Sequence, residues 1–140
     1  MAHIDYYLST LSPNVYFAGT RPGQIAARHG ATIKYNPVNI MALFSRTGGV
    51  PPGERHVSRQ EYRVQELLRT STLLDMPVNA RPAHWPTNGA PACYAIIAAQ
   101  QAVTNDGAEG DLGALCHAIL RACWAEEKDV ARDEVLRDCL

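Results

Sequence analysis

The stretch IDYYLSTLSPNVYFAGTRPGQIAARHGATIKYNPV, residues 4–38, decides the fold. Ile4–Leu8 is rich in aromatic and branched side chains and short enough for a buried strand. Ser12-Pro13 comes next: serine suits a helix N-cap, and Pro13 suits the first helical position, where a missing N–H costs nothing. A helix-compatible stretch then runs to about His29 and stops at Gly30. Residues Ala31–Val38 read as a second strand, with Pro37 near its end. Strand, helix and strand in this compass make one βαβ unit, which requires parallel strands and a right-handed crossover.

Beyond residue 40 the pattern changes. SRTGGVPPGERH, residues 45–56, reads as a loop. Ser58 and Glu61 stand at capping-box spacing and open a helix that runs to about Leu74, before Pro77. Prolines 77, 82, 86 and 91 surround His84-Trp85 and Asn88-Gly89, predicting an extended segment, with Asn88 capping the helix that opens at Pro91. ACYAIIAAQQAV, residues 92–103, is apolar enough to expect burial on most sides. Leu112, Leu115, Cys116, Ile119, Leu120, Cys123 and Trp124 obey helical spacing, as do Val135, Leu136, Cys139 and Leu140. Two parallel strands alone keep open edges, so the expectation is an N-terminal part of a longer fold, or strands supplied by another chain.

Composition narrows the function. The 140 residues are 46% hydrophobic and 19% charged, with a net charge of −1, as in one ordinary globular domain without a basic field for nucleic acid. The start, MAHIDYYLST, lacks the cationic and apolar regions of a secretory signal, and no apolar run reaches the roughly 20 residues that cross a bilayer, so the expected compartment is the cytoplasm. Cysteines 93, 116, 123 and 139 include no C-x-x-C, which argues against a dithiol redox centre and a zinc knuckle. Cys116 and Cys123, two helical turns apart, read as buried thiols. The five scattered histidines offer no metal-ligand spacing.

Ser12 is the position with chemical interest. Its plain role is a helix cap, worth about 1 kcal/mol. Its place, where a strand hands over to a helix, is also where α/β proteins bind anions. A charge-assisted hydrogen bond is worth about 1.5–3 kcal/mol and a helix terminus about 0.5–2, against about 1.4 per pKa unit. A bound thiol of pKa near 8.5 could therefore fall to roughly 6–7 beside this hydroxyl.

YYLSTLSPNVYFAG, HGATIKYNPVNI, GGVPPGER and RPAHWPTNGAPACYAIIAAQ, in that order, resemble the 2-hydroxychromene-2-carboxylate isomerase and kappa-class glutathione transferase family. The resemblance implies an α/β, thioredoxin-like fold interrupted by an all-helical insertion domain: residues 1–40 as the N-terminal βαβ and 41–140 as the insertion, with the returning thioredoxin half missing after Leu140. It implies glutathione as cofactor, with Ser12 as the thiol-activating residue and Pro13 beside it. The reaction implied is a ring-opening isomerisation in aromatic degradation, through thiolate addition, bond rotation and elimination. It further implies a homodimer acting on a small aromatic substrate.

By the same resemblance, Arg55 falls where the family holds substrate, its fork suited to a carboxylate, and Trp85 falls at an aromatic substrate wall. The family's substrate-holding lysine aligns with Phe44 and its asparagine with Glu54, which makes the pocket less positive. Without resemblance, Arg55 is a solvated loop residue and Trp85 packs the proline-rich segment. A kappa-type transferase and a truncated, non-catalytic interaction module are the competing readings; a thiol-disulfide oxidoreductase is disfavoured by the missing C-x-x-C.

Overall fold

In the computed structural model, which describes all residues 1–140, strands β1 (His3–Leu8) and β2 (Thr32–Pro37) pair in parallel, His3 opposite Thr32 through Leu8 opposite Pro37. They form a two-stranded sheet. β1 is buried on one face only: Ile4, Tyr6 and Leu8 turn inward, while His3, Asp5 and Tyr7 face solvent. The outer edge of β2 is occupied at one point by a side chain. The Tyr35 N–H donates to Gln100 Oε1 at 2.8 Å, and Gln100 Nε2 donates back to the Tyr35 carbonyl at 3.1 Å. One amide thus takes the place of a strand residue.

The expected helix over 13–29 is two helices, α1 (Pro13–Ala18) and α2 (Arg21–Arg28). Gly19 lies between them at φ +57°, ψ −136°, a region that residues with a Cβ avoid. A continuous helix would also need an N–H at Pro22 for the Ala18 carbonyl. Arg21 satisfies the carbonyls at the end of α1 instead, its Nη2 donating to Phe17 O at 2.6 Å and its Nε to Ala18 O at 3.2 Å.

Residues 45–56 are not all loop. Helix α3 (Ile40–Thr47) is capped by Asn39, whose Oδ1 accepts from Ala42 N, and ends at Gly48 with φ +72°. A 3₁₀ turn comes next, at Pro52–Glu54. Helix α4 (Val57–Leu74) starts one residue before the expected cap: His56 Nδ1 accepts from Ser58 N at 3.3 Å and lies 2.8 Å from Ser58 Oγ. The Ser58–Glu61 box is therefore not formed. Asp75, at φ +51°, ends this helix.

The extended segment after α4 is held by distant groups. Tyr16 OH donates to Pro77 O at 2.5 Å, Asn79 N to Trp124 O at 2.7 Å, Ala83 N to Glu127 Oε2 at 2.6 Å, and Thr87 Oγ1 to Asp129 Oδ1 at 2.8 Å. The Trp85–Pro86 peptide is cis. Helix α5 (Ala90–Asn105) is preceded by Asn88, whose Oδ1 accepts from Ala90 N, with Gly89 at the cap position. It is less buried than its composition predicts: Ala92 and Ile96 are covered, but Tyr94, Ile97 and Gln101 are exposed. Helix α6 (Leu112–Trp124), capped by Asp111, buries seven side chains, and a short α7 (Asp133–Asp138) adds Leu136. Leu8, Tyr16, Phe17 and Tyr35 from the βαβ share one core with Leu67, Ile96, Ile119, Trp124 and Leu136.

Candidate functional site

β1 runs into a tight turn. Leu8, Ser9 and Thr10 are buried, Leu11 N donates to Ser9 Oγ, and Ser12 N donates to Ser9 O at 3.1 Å. Ser12 then takes an extended conformation (φ −88°, ψ 124°) at the N-cap of α1, with Pro13 next. Its hydroxyl makes no capping bond, although the Ser-Pro pattern predicts one. Ser12 is half-buried as a residue, and its oxygen is not committed to the backbone of α1. α1 is six residues long, so its dipole is weaker than that of the longer helix expected, although the N–H groups of its first turn still precede the first intrahelical bond.

Trp85 clamps this turn from the helical side. Its indole Nε1 donates to the Leu11 carbonyl at 3.0 Å, one residue before Ser12. Its ring packs 5.5 Å from that of Trp124, at 49°, and the Arg63 guanidinium lies 4.5 Å from its centroid. Trp85 does have core partners, but they come from α4 and α6, far along the chain. It also lines a cavity of about 300 Å³ together with Pro52, Gly53, Gln60, Arg63 and Arg81.

Arg55 does not line that cavity. Its Nε donates to Val50 O at 2.9 Å. It is nevertheless close enough to act on Arg63, whose pKa is lowered first by burial and then by Arg55, with Glu66 opposing. Motif reading passes over Arg63. A signal for it exists all the same: Arg63 stands four residues before Leu67, the buried residue of α4, and so on the same face. Phe44 and Glu54 also stay outside the cavity. Phe44 covers Gly49 so closely that an added Cβ there would clash with its ring, and Glu54 is exposed on the 3₁₀ turn.

A second cavity, of about 420 Å³, opens at the C-terminal ends of both strands. Thr10, Leu11, Val38, Met41, Cys93 and Tyr94 are among its walls, and Thr10 Oγ1 lies 3.6 Å from Cys93 Sγ. Ser12 lines neither cavity, but its turn separates them: Leu11 borders the second and bonds the tryptophan of the first. All four cysteines are free. Burial pushes the thiols of Cys116 and Cys123 up to about 12. No three His, Cys, Asp or Glu side chains gather in a metal-binding cluster, and no helix is long and apolar enough to cross a membrane.

A family profile described as DSBA-like thioredoxin domain matches residues 3–140. Two curated relatives, from Pseudomonas putida and Pseudomonas sp. (strain C18), are both named 2-hydroxychromene-2-carboxylate isomerase and are 27% and 24% identical over 124 residues. Each alignment takes in 88% of this chain but 56% and 54% of the relative, so the chain spans about half the length of the curated relatives it matches. A solved structure of a 2-hydroxychromene-2-carboxylate isomerase superposes with a TM-score of 0.73 at 23% identity, over 97% of this chain and 65% of that one. With a profile match over nearly every residue and the α/β arrangement it describes, the chain belongs to the DSBA-like thioredoxin domain family.

Proposed function

We propose that the chain takes part in glutathione-dependent isomerisation of the 2-hydroxychromene-2-carboxylate type. The observation that carries this reading is the uncommitted Ser12 hydroxyl, half open at the end of β1 and one residue from the carbonyl that Trp85 grips. Such a hydroxyl fits a thiol ligand: it donates to sulfur, stabilises the anion, and forms no disulfide. Glutathione, when bound, supplies the nucleophilic sulfur that a serine side chain does not. Pro13 contributes no N–H to this end of α1, so the donors there are the Ser12 hydroxyl and the amides of the next residues.

On this reading residues 1–40 provide the thiol-activating turn, and residues 41–140 provide the substrate's surroundings. Trp85 is a flat apolar wall whose position is held by the Leu11 bond. Arg55, tied to Val50 O, braces the neighbouring turn and adds positive potential rather than a direct grip.

The test is isomerisation of 2-hydroxychromene-2-carboxylate, followed by absorbance, alongside calorimetric titration of glutathione. Turnover is expected to require glutathione and to fall about 10–100-fold in Ser12→Ala, the equivalent of one charge-assisted hydrogen bond. Equal rates in the two proteins, or turnover indifferent to glutathione, overturn the reading. A non-catalytic interaction module is the second reading, supported by exposed Met41 and Tyr94 at the rim of the second cavity. A folded sample that gives no heat with millimolar glutathione favours it.

A further inference from the structure

A third cavity, of about 710 Å³, lies between α2, β2 and the start of α6. Small residues line it, Gly23, Ala26 and Ala27 from α2 and Gly113 and Ala114 from α6, with Tyr35 between them. Tyr35 is only 5% exposed; its ring packs edge-on against Tyr6 at 5.9 Å, and its peptide is held on both sides by Gln100. Its hydroxyl nevertheless bonds nothing in the chain and is not sealed off, so it opens on the cavity. A phenol this deeply buried ordinarily has a partner. A Cβ at Gly113 would lie 2.8 Å from this oxygen, and one at Gly23 would lie 3.6 Å from it. The same Gly113 Cβ would lie 3.2 Å from Asp111 Oδ1. The missing side chain therefore leaves a spot beside Gly113 from which one polar atom reaches both oxygens, which do not bond each other.

We propose that this cavity binds a small organic cation, a primary ammonium on an apolar stem, with the Asp111 carboxylate and Tyr35 Oη as its acceptors. Asp111 is the one charged residue in the lining, and it takes part in none of the chain's ion pairs. Capping α6 uses Oδ1 once, through Ala114 N at 3.0 Å, and leaves the carboxylate further lone pairs. An ammonium has three donors and no acceptor, so it serves both oxygens and answers the charge, whereas an alcohol has one proton to give. An anion would meet Asp111 with no cationic side chain in the lining to hold it. The alanines, Ile33 and Leu112 give the stem an apolar wall, and the volume falls within the range of small-molecule sites. This site shares no residue with the two cavities beside the Ser12 turn, so it stands or falls without glutathione or turnover.

The backbone amides of Gly23 and Gly113, followed in proton–nitrogen correlation spectra near neutral pH, report on the site. Cyclohexylamine is expected to shift both peaks saturably. Cyclohexanol, of the same shape but neutral, is expected to bind at least about 5-fold more weakly, and cyclohexanecarboxylate to leave both peaks in place. Asp111→Asn removes the charge and keeps a residue that caps a helix equally well; it is expected to weaken the amine at least about 5-fold. Tyr35→Phe removes a hydroxyl that nothing in the chain uses, and is expected to weaken the amine about 3–10-fold. On the unmodified chain, peaks that do not move with the amine overturn the proposal, as does binding of the alcohol or the acid as tight as that of the amine. Undiminished amine binding by folded Asp111→Asn or Tyr35→Phe overturns it as well.

Discussion

Ser12, Asn39 and Asp111 occupy the same position at the starts of α1, α3 and α6, yet only the latter two accept an amide proton, from Ala42 and Ala114. Capping therefore holds α3 and α6 but not α1, which Pro13 pre-sets and Arg21 closes at its far end. Asn39→Ala and Asp111→Ala should each cost about 1 kcal/mol in urea unfolding, and Ser12→Ala less than about 0.5 kcal/mol. A loss of about 1 kcal/mol or more in Ser12→Ala would mean that the hydroxyl serves the fold, and would remove the separation between stability and activity on which its assignment depends. Ser12 itself was legible from sequence because Ser-Pro after a strand is a local pattern. Whether its oxygen is spent locally was not, since that turns on a rotamer and on Trp85, whose partners lie far along the chain.

Among the elements, β2 shows how a lone strand edge is managed. Gln100, on α5, gives the Tyr35 peptide both an acceptor and a donor where no third strand lies. Gln100→Leu keeps the bulk but leaves that part-buried peptide unpaired, and should lower stability by about 1–3 kcal/mol with the secondary structure retained. A change below about 0.5 kcal/mol, read by urea unfolding, would show that water replaces the amide without loss. The strands, α4 and α6 are readable from periodicity, as expected for long, patterned segments. The errors fall where two local signals compete: Pro22 and Gly19 break one apparent helix, and the last residues of α3, before Gly48, run into an apparent loop. At the start of α4 the His56 ring wins over the Ser58–Glu61 pair because its nitrogen reaches the Ser58 amide first.

For the whole molecule, the buried thiols and the tyrosine at the centre set the response to pH. Burial lifts Cys116 and Cys123 from 9.0 to about 12 and Tyr35 from 10.0 to about 12. Above about pH 9 the unfolded chain sheds protons that the folded one keeps, so stability must fall from there towards pH 12. His117 works in the opposite direction. It stacks on Tyr16, its Nδ1 is buried without a partner, and burial, then Arg121, lowers its pKa from 6.5. Below about pH 6.5 the unfolded chain binds a proton that the folded one resists, so acid also destabilises. Urea midpoints should be level between about pH 7 and 8.5 and lower at about pH 5 and 10.5; a midpoint that rises from about pH 8.5 to 10.5 contradicts the assignment of these groups to the core.

The amino-acid order alone determined the parallel βαβ, the helical character of the C-terminal part of the chain, the resemblance to the isomerases and the identity of Ser12, because each is written in neighbours a few residues apart. Only the tertiary structure decided that Trp85 from the proline-rich segment grips the turn before Ser12, that Arg63 rather than Arg55 faces the cavity, and that Gln100 closes the edge of β2. Those pairings join residues 65 to 74 positions apart, or select one face of a helix. They form because burying the shared core brings such side chains to the same few ångströms, and no local spacing rule encodes that distance.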